Sequence, residues 1–150
     1  ESLKEISYKH GGPVKELIIT GHSMGSTTAQ LTGALACKEG WFEKVIVSCS
    51  ASPRFGTAGF KTWYDQLRSE KPHHMLNDYT WRFTNKSDFV PKVPAAPYTE
   101  MGIENWFEEK NGAEHNPCCT YSYAINNPDR THNPDISDCE FPTPAIPPKP

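Results

Sequence analysis

The 150-residue sequence contains no apolar run of the roughly 18 residues that a membrane-spanning helix needs. Its first stretch, ESLKEISYKH, has neither the cationic start nor the apolar body of a signal peptide. Basic charge is not in excess: 15 Lys and Arg stand against 18 Asp and Glu, for a net charge of −3. A nucleic-acid partner is therefore not expected, because such proteins concentrate positive charge. Cys-x-x-Cys pairs and zinc-type Cys/His spacings are missing, so no metal is expected. There is no internal repeat and no initiator methionine. The opening segment already reads as an amphipathic helix, with Leu3, Ile6 and Tyr8 among charged residues, and is expected to begin inside a larger protein.

Five cysteines are present. Cys37 and Cys49 lie in apolar segments and are expected as buried thiols. Cys118, Cys119 and Cys139 lie in polar, loop-like sequence where disulfides are expected, which favours an oxidising compartment. Asn85-Lys86-Ser87 forms a glycosylation sequon.

The first 90 residues alternate between two periodicities. KELIIT (15–20) is a short apolar run of buried-strand type. STTAQLTGALACKEG (26–40) predicts a helix whose small residues face something closely packed and whose end is marked by Gly40. KVIVSCSA (44–51) predicts a second buried strand. The spacing of Phe60, Trp63, Tyr64 and Leu67 predicts a helix over 57–70, and YTWRFTN (79–85) a third strand. Strand, helix, strand, helix, strand implies parallel pairing with crossover helices, an α/β class. Three parallel strands alone make a poor sheet, so the domain is expected to be incomplete. After residue 90 the composition shifts, with 11 of the 14 prolines and three cysteines in an irregular segment. Residues 141–150, FPTPAIPPKP, predict an extended tail.

GHSMG, residues 21–25, places Ser23 between two glycines, after a strand and before a helix. That is the context of a nucleophile elbow, a turn that holds a serine hydroxyl exposed in a strained backbone conformation. Gly21 and Gly25 are expected to stand too close to neighbouring backbone for a side chain. The Met24 N–H, at the helix N-terminus, is expected to hold the oxyanion of an acyl intermediate. A plain helix-capping serine is the competing reading. A serine nucleophile needs a base, and the base needs an acid to orient it, in the chain order Ser, acid, His. Asp88 follows the third strand and fits the acid; Asp65 falls within a helix pattern and Asp78 precedes its strand. His22 belongs to the turn and points away from a base's position, and His10, His73 and His74 break the order. His115 and His132 remain.

With these residues the chain resembles the class 3, fungal-type lipases, a branch of the α/β-hydrolases that includes feruloyl esterases. LIITGHSMGS resembles the nucleophile segment, with Ser26 where glycine is usual. SCSASPRFGTAGF is similar to the next strand and its SPRVG-type turn, WRFTNKSDFVPKVP to the strand and loop bearing the acid, and MGIENWF to the segment that follows. The resemblance covers about residues 1–107. It implies an α/β-hydrolase-type parallel sheet with flanking helices, lacking its N-terminal strands, over residues 1–140. It also implies that the lid and second oxyanion donor lie upstream of the elbow. In feruloyl-esterase-like members a Cys-Cys pair precedes the histidine by about a dozen residues and another cysteine follows it. Cys118-Cys119, His132 and Cys139 repeat that arrangement, which points to His132 as the base.

The expected activity is thus serine carboxylic-ester hydrolysis through an acyl-enzyme, with no cofactor. The resemblance implies an acylglycerol or other lipid ester as substrate, contact with a lipid interface, and secretion. The alternatives are a feruloyl-type aromatic ester, or a catalytically silent lipase-like binding module.

Overall fold

The structure is a computed structural model that describes residues 3, 5–6, 14–69 and 74–128. Its centre is a four-stranded parallel sheet in the order β1-β2-β4-β6, formed by β1 (Val14–His22), β2 (Phe42–Ser50), β4 (Thr80–Asn85) and β6 (Ile103–Phe107). A two-residue antiparallel pair, β3 (Gly56–Thr57) with β5 (Tyr98–Thr99), lies outside it. Helix α1 (Met24–Glu39) connects β1 to β2, and α2 (Ala58–Asp65) follows β3.

β2 is central and carries the core. Phe42, Val45, Val47 and Cys49 are buried against Ala29, Ala34, Ala36 and Cys37 of α1. The small side chains of α1 let helix and sheet approach closely: a Cβ on Gly33 would meet Val47 Cγ2 at 2.7 Å. Gly40 ends α1 in the left-handed conformation (φ 64°), and its N–H reaches the carbonyls of Ala36 and Cys37. Val45, Val47 and Cys49 follow the period-2 alternation of a strand, and Phe42 joins the core from the strand's first position. The other face is less covered by the described residues: Ile18, Trp81 and Ile103 are 59%, 38% and 45% exposed.

Two elements depart from the expectations above. α2 stops at Asp65 rather than running to residue 70, because the chain turns out to pair with itself. Leu67 C=O accepts from Leu76 N–H, Ser69 N–H donates to His74 C=O, and Arg68 bridges Met75 antiparallel. The fourth parallel strand, β6, falls in the segment read as irregular. It is an edge strand with four of its five residues exposed, so it shows neither an apolar run nor alternation.

The sequon asparagine is not on the surface. Asn85 is fully buried, and its amide donates to the carbonyls of Glu109 (3.0 Å) and Glu114 (3.1 Å). Its Oδ1 accepts from the N–H groups of Ser87 and Glu109. These bonds tie the segment after β6 to the end of β4, and they leave no room for a glycan. Expressed in a glycosylating host, the Asn85 peptide is expected to carry no glycan by mass spectrometry. Asn85→Ala, which orphans buried backbone groups, is expected to lower stability by about 2–4 kcal/mol in urea unfolding.

Candidate active site

The site is built at the C-terminal ends of β1 and β4. β1 ends at His22 and α1 begins at Met24, so Ser23 alone makes the turn, with φ 56° and ψ −128°. A non-glycine residue in such a conformation costs about 1–3 kcal/mol and persists only where its surroundings impose it. The surroundings are clear. Ser23 N–H donates to Ser50 C=O at 3.0 Å, and Ser26 N–H donates to Ser23 C=O at 3.0 Å. Gly21 stands so close to the start of α1 that a Cβ would lie 2.2 Å from Gly25 O. Gly25 differs from expectation: a Cβ there would meet nothing within 4 Å among the described residues.

The Ser23 side chain makes no helix-capping bond. Its Oγ instead lies 2.9 Å from His115 Nε2, and His115 Nδ1 lies 2.7 Å from Asp88 Oδ2. A carboxylate beside Nδ1 makes that nitrogen the donor, which leaves Nε2 to accept the Ser23 proton. Asp88 is 2% exposed, in the turn after β4. Its Oδ1 accepts from Val90 N–H at 2.9 Å, and its Oδ2 also accepts from the Tyr121 hydroxyl at 2.8 Å. Tyr121 is itself buried, accepts from Asn85 N–H at 3.1 Å, and has its pKa pushed up by burial and by the Asp88 carboxylate. It therefore stays a donor to Asp88. The loop after Asp88 is pinned through Arg54, whose N–H donates to Val93 C=O and whose Nε donates to Glu100 at 3.0 Å.

Ser23 and Asp88 are thus brought together through a histidine, and that histidine is His115. His132, to which the cysteine spacing points, lies outside the described residues. Asn116 caps a π-helical turn, Pro117–Ser122, that carries the Cys118-Cys119 pair, and His115 stands immediately before it. His115 satisfies the chain order, which was the available signal. Cys118 departs from the expectation of a disulfide, being a free, exposed thiol. Cys37 and Cys49 are buried thiols whose pKa values burial pushes up to about 12 and about 11, which keeps them unreactive.

Met24 opens α1, where position alone denies its N–H an intrahelical acceptor. The Met24 and Phe89 side chains, next in sequence to Ser23 and Asp88, are 78% and 70% exposed. Ser26 is fully buried, and its hydroxyl reaches the carbonyls of Gly21 and Ser50, both at 2.8 Å. A serine is thereby accommodated where glycine is usual, and it fastens the turn. A cavity of about 280 Å³ opens beside His22, Cys49 and Ser50, but Ser23, Asp88 and His115 do not line it. Among the described residues, no group of three or more His, Cys, Asp or Glu could hold a metal ion. No described helix is long and apolar enough to cross a membrane.

Comparison with known proteins identifies the family. Residues 1–98 match the family model described as Lipase (class 3). The chain is 27% identical over 108 residues to a phospholipase A1-II 4 of Oryza sativa subsp. japonica, covering 69% of this chain and 25% of that one. It is 28% identical over 115 residues to a secreted mono- and diacylglycerol lipase A of Penicillium cyclopium, covering 75% of this chain and 33% of that one. A crystal structure of a lipase from Rhizopus microsporus var. chinensis superposes with a TM-score of 0.54 at 27% identity, over 64% of this chain and 32% of the other. The chain therefore spans a quarter to a third of these relatives. The parallel sheet with its flanking helices is an incomplete α/β-hydrolase fold.

Proposed function

The chain belongs to the class 3 lipase family, and from that premise we propose that it carries the nucleophile, base and acid of a serine carboxylic-ester hydrolase. The observation that supports this most is the line of two short contacts from Ser23 through His115 to Asp88, starting on a strained turn. In the first step Ser23 Oγ bonds to the ester carbonyl carbon as its proton passes to His115 Nε2. The carbonyl electron pair becomes an oxyanion, which accepts from the Met24 N–H. The oxyanion collapses, the alcohol leaves with the proton from His115, and an acyl-serine remains. Water then repeats the sequence and releases the acid. Asp88 holds the imidazole in the tautomer with Nδ1–H and stabilises the imidazolium.

The substrate we assign is a lipid ester with an apolar acyl chain. The exposed Met24 and Phe89 side chains beside the site support it, as do the names of the plant phospholipase and fungal acylglycerol lipase relatives. The remaining wall of the acyl site, the second oxyanion donor and any lid are assigned to parts of the protein outside the described residues. We further assign an extracellular location, supported by the disulfide-bonded Cys119 and by the Penicillium relative being named as secreted.

Labelling with a fluorophosphonate probe, read by peptide mass spectrometry, tests the assignment. An adduct on the Ser23 peptide is expected, and none in Ser23→Ala. A chain that is folded by circular dichroism yet takes no adduct would instead be a silent lipase-like module.

A further inference from the structure

We propose that His22 and Ser50 are positioning residues that hold the backbone of His115 at a fixed distance from the nucleophile turn. The inference rests on His115 being the base.

His22 and Ser50 are Cα partners at the ends of β1 and β2, so their side chains emerge on one face of the sheet. His22 Nδ1 lies 2.9 Å from Ser50 Oγ, and His22 Nε2 lies 2.9 Å from the carbonyl oxygen of His115. A carbonyl only accepts, so Nε2 carries the proton and Nδ1 accepts from the Ser50 hydroxyl. Both ring nitrogens are used, and the neutral ring is the form this pairing needs. Burial, then the neighbouring His115, lowers the His22 pKa in the same sense. The ring also sits 4.8 Å from the His115 ring and edge-on to Tyr121 at 5.4 Å.

Ser50 serves both ends of the site. Its carbonyl accepts from Ser23 N–H and from the Ser26 hydroxyl, and its own hydroxyl orients His22. One residue thus ties the nucleophile turn directly, and the base through a single imidazole.

The tether answers a specific need. His115 belongs to no helix or strand, lying between β6 and the turn that begins at Pro117. The Asp88 contact sets the tautomer and rotation of its ring, and Asn85 holds the carbonyl of the preceding Glu114, but neither holds the His115 carbonyl itself. The bond from His22 fixes the peptide of His115 directly to the nucleophile strand, and a displacement of about 1 Å at a reacting pair costs on the order of 100-fold in rate. The turn geometry places no demand on the residue before Ser23 that would require histidine. The two bonds at His22 are what its imidazole adds.

The test compares His22→Leu, His22→Gln and Ser50→Ala with the parent chain by two readouts. One is the rate of fluorophosphonate labelling at Ser23. The other is the downfield proton resonance of His115 Nδ1–H in its bond to Asp88. His22→Leu is expected to slow labelling by about 10- to 100-fold and to broaden or lose the resonance, with circular dichroism unchanged. His22→Gln, whose amide can donate to the same carbonyl, is expected to recover most of both. Ser50→Ala keeps every backbone bond of β2 and removes only the hydroxyl, so it carries the test if His22→Leu fails to fold; a smaller loss in the same two readouts is expected. An unchanged resonance and rate in folded His22→Leu, or in Ser50→Ala where the leucine variant does not fold, would overturn the proposal. Labelling of His115→Ala at the parent rate would overturn the base assignment instead, while the resonance would still report whether His22 holds His115 in place.

Discussion

His115→Ala is expected to abolish ester hydrolysis by the full-length protein, lowering kcat by about 10⁴- to 10⁶-fold, while His132→Ala leaves it nearly unchanged. The two substitutions separate two ways of locating a base. Sequence spacing places His132 after a cysteine pair and before a third cysteine. Geometry places His115 Nε2 at 2.9 Å from Ser23 Oγ and its Nδ1 at 2.7 Å from Asp88. The Ser23 hydroxyl has a single proton, and it is aimed at one imidazole. Without His115 the hydroxyl has no base and stays a weak nucleophile, so Ser23→Ala and His115→Ala should cost about the same, as members of one unit do. Initial rates with a short-chain p-nitrophenyl ester, which needs no lipid interface, would check both variants. A large loss in His132→Ala with activity retained in His115→Ala would reverse the assignment.

Much of this site was legible in the sequence because its constraints are local. The turn needs glycine at Gly21, where any Cβ would lie 2.2 Å from the backbone of Gly25, and it needs a strand before and a helix after. β1 and β2 carry short apolar runs, β4 is marked by its β-branched and aromatic residues, and α1 betrays its tight packing by alanine and glycine. The place of Asp88 after β4 is likewise a local signal. What was not legible depends on contacts between distant segments. β6 is stabilised by ladder bonds to β4, which any side chain permits, so its exposed residues carry no pattern. The end of α2 is decided by pairing of residues 67–69 with 74–76, which helical spacing does not encode. The partner of Ser23 is 92 residues away in the chain, and nothing in the flanks of His115 distinguishes it from a loop histidine. The burial of Asn85, likewise, follows from carbonyls at Glu109 and Glu114 that only the fold brings near.

Asp88→Asn is expected to lower kcat by about 10⁴-fold with little change in fold, and the hydrogen bonds around the carboxylate say why. Oδ1 accepts from Val90 N–H, a bond that an amide nitrogen at that position would turn into a clash of donors. The asparagine oxygen therefore takes the Oδ1 position, and its NH₂ faces His115 and Tyr121 in place of Oδ2. Tyr121 can adapt, since its hydroxyl rotates and accepts. His115 cannot: an NH₂ donating to Nδ1 forces the proton onto Nε2, which then faces Ser23 Oγ as a donor and has no lone pair for its proton. The site is left correctly built and wrongly protonated. Two measurements distinguish this from simple damage. Thermal unfolding should shift by only a few degrees, and the lost activity should recover partly at high pH, where hydroxide can take the serine proton directly. A variant that loses its fold, or one whose rate stays within tenfold of the parent, would mean that Asp88 serves the loop after β4 rather than the imidazole.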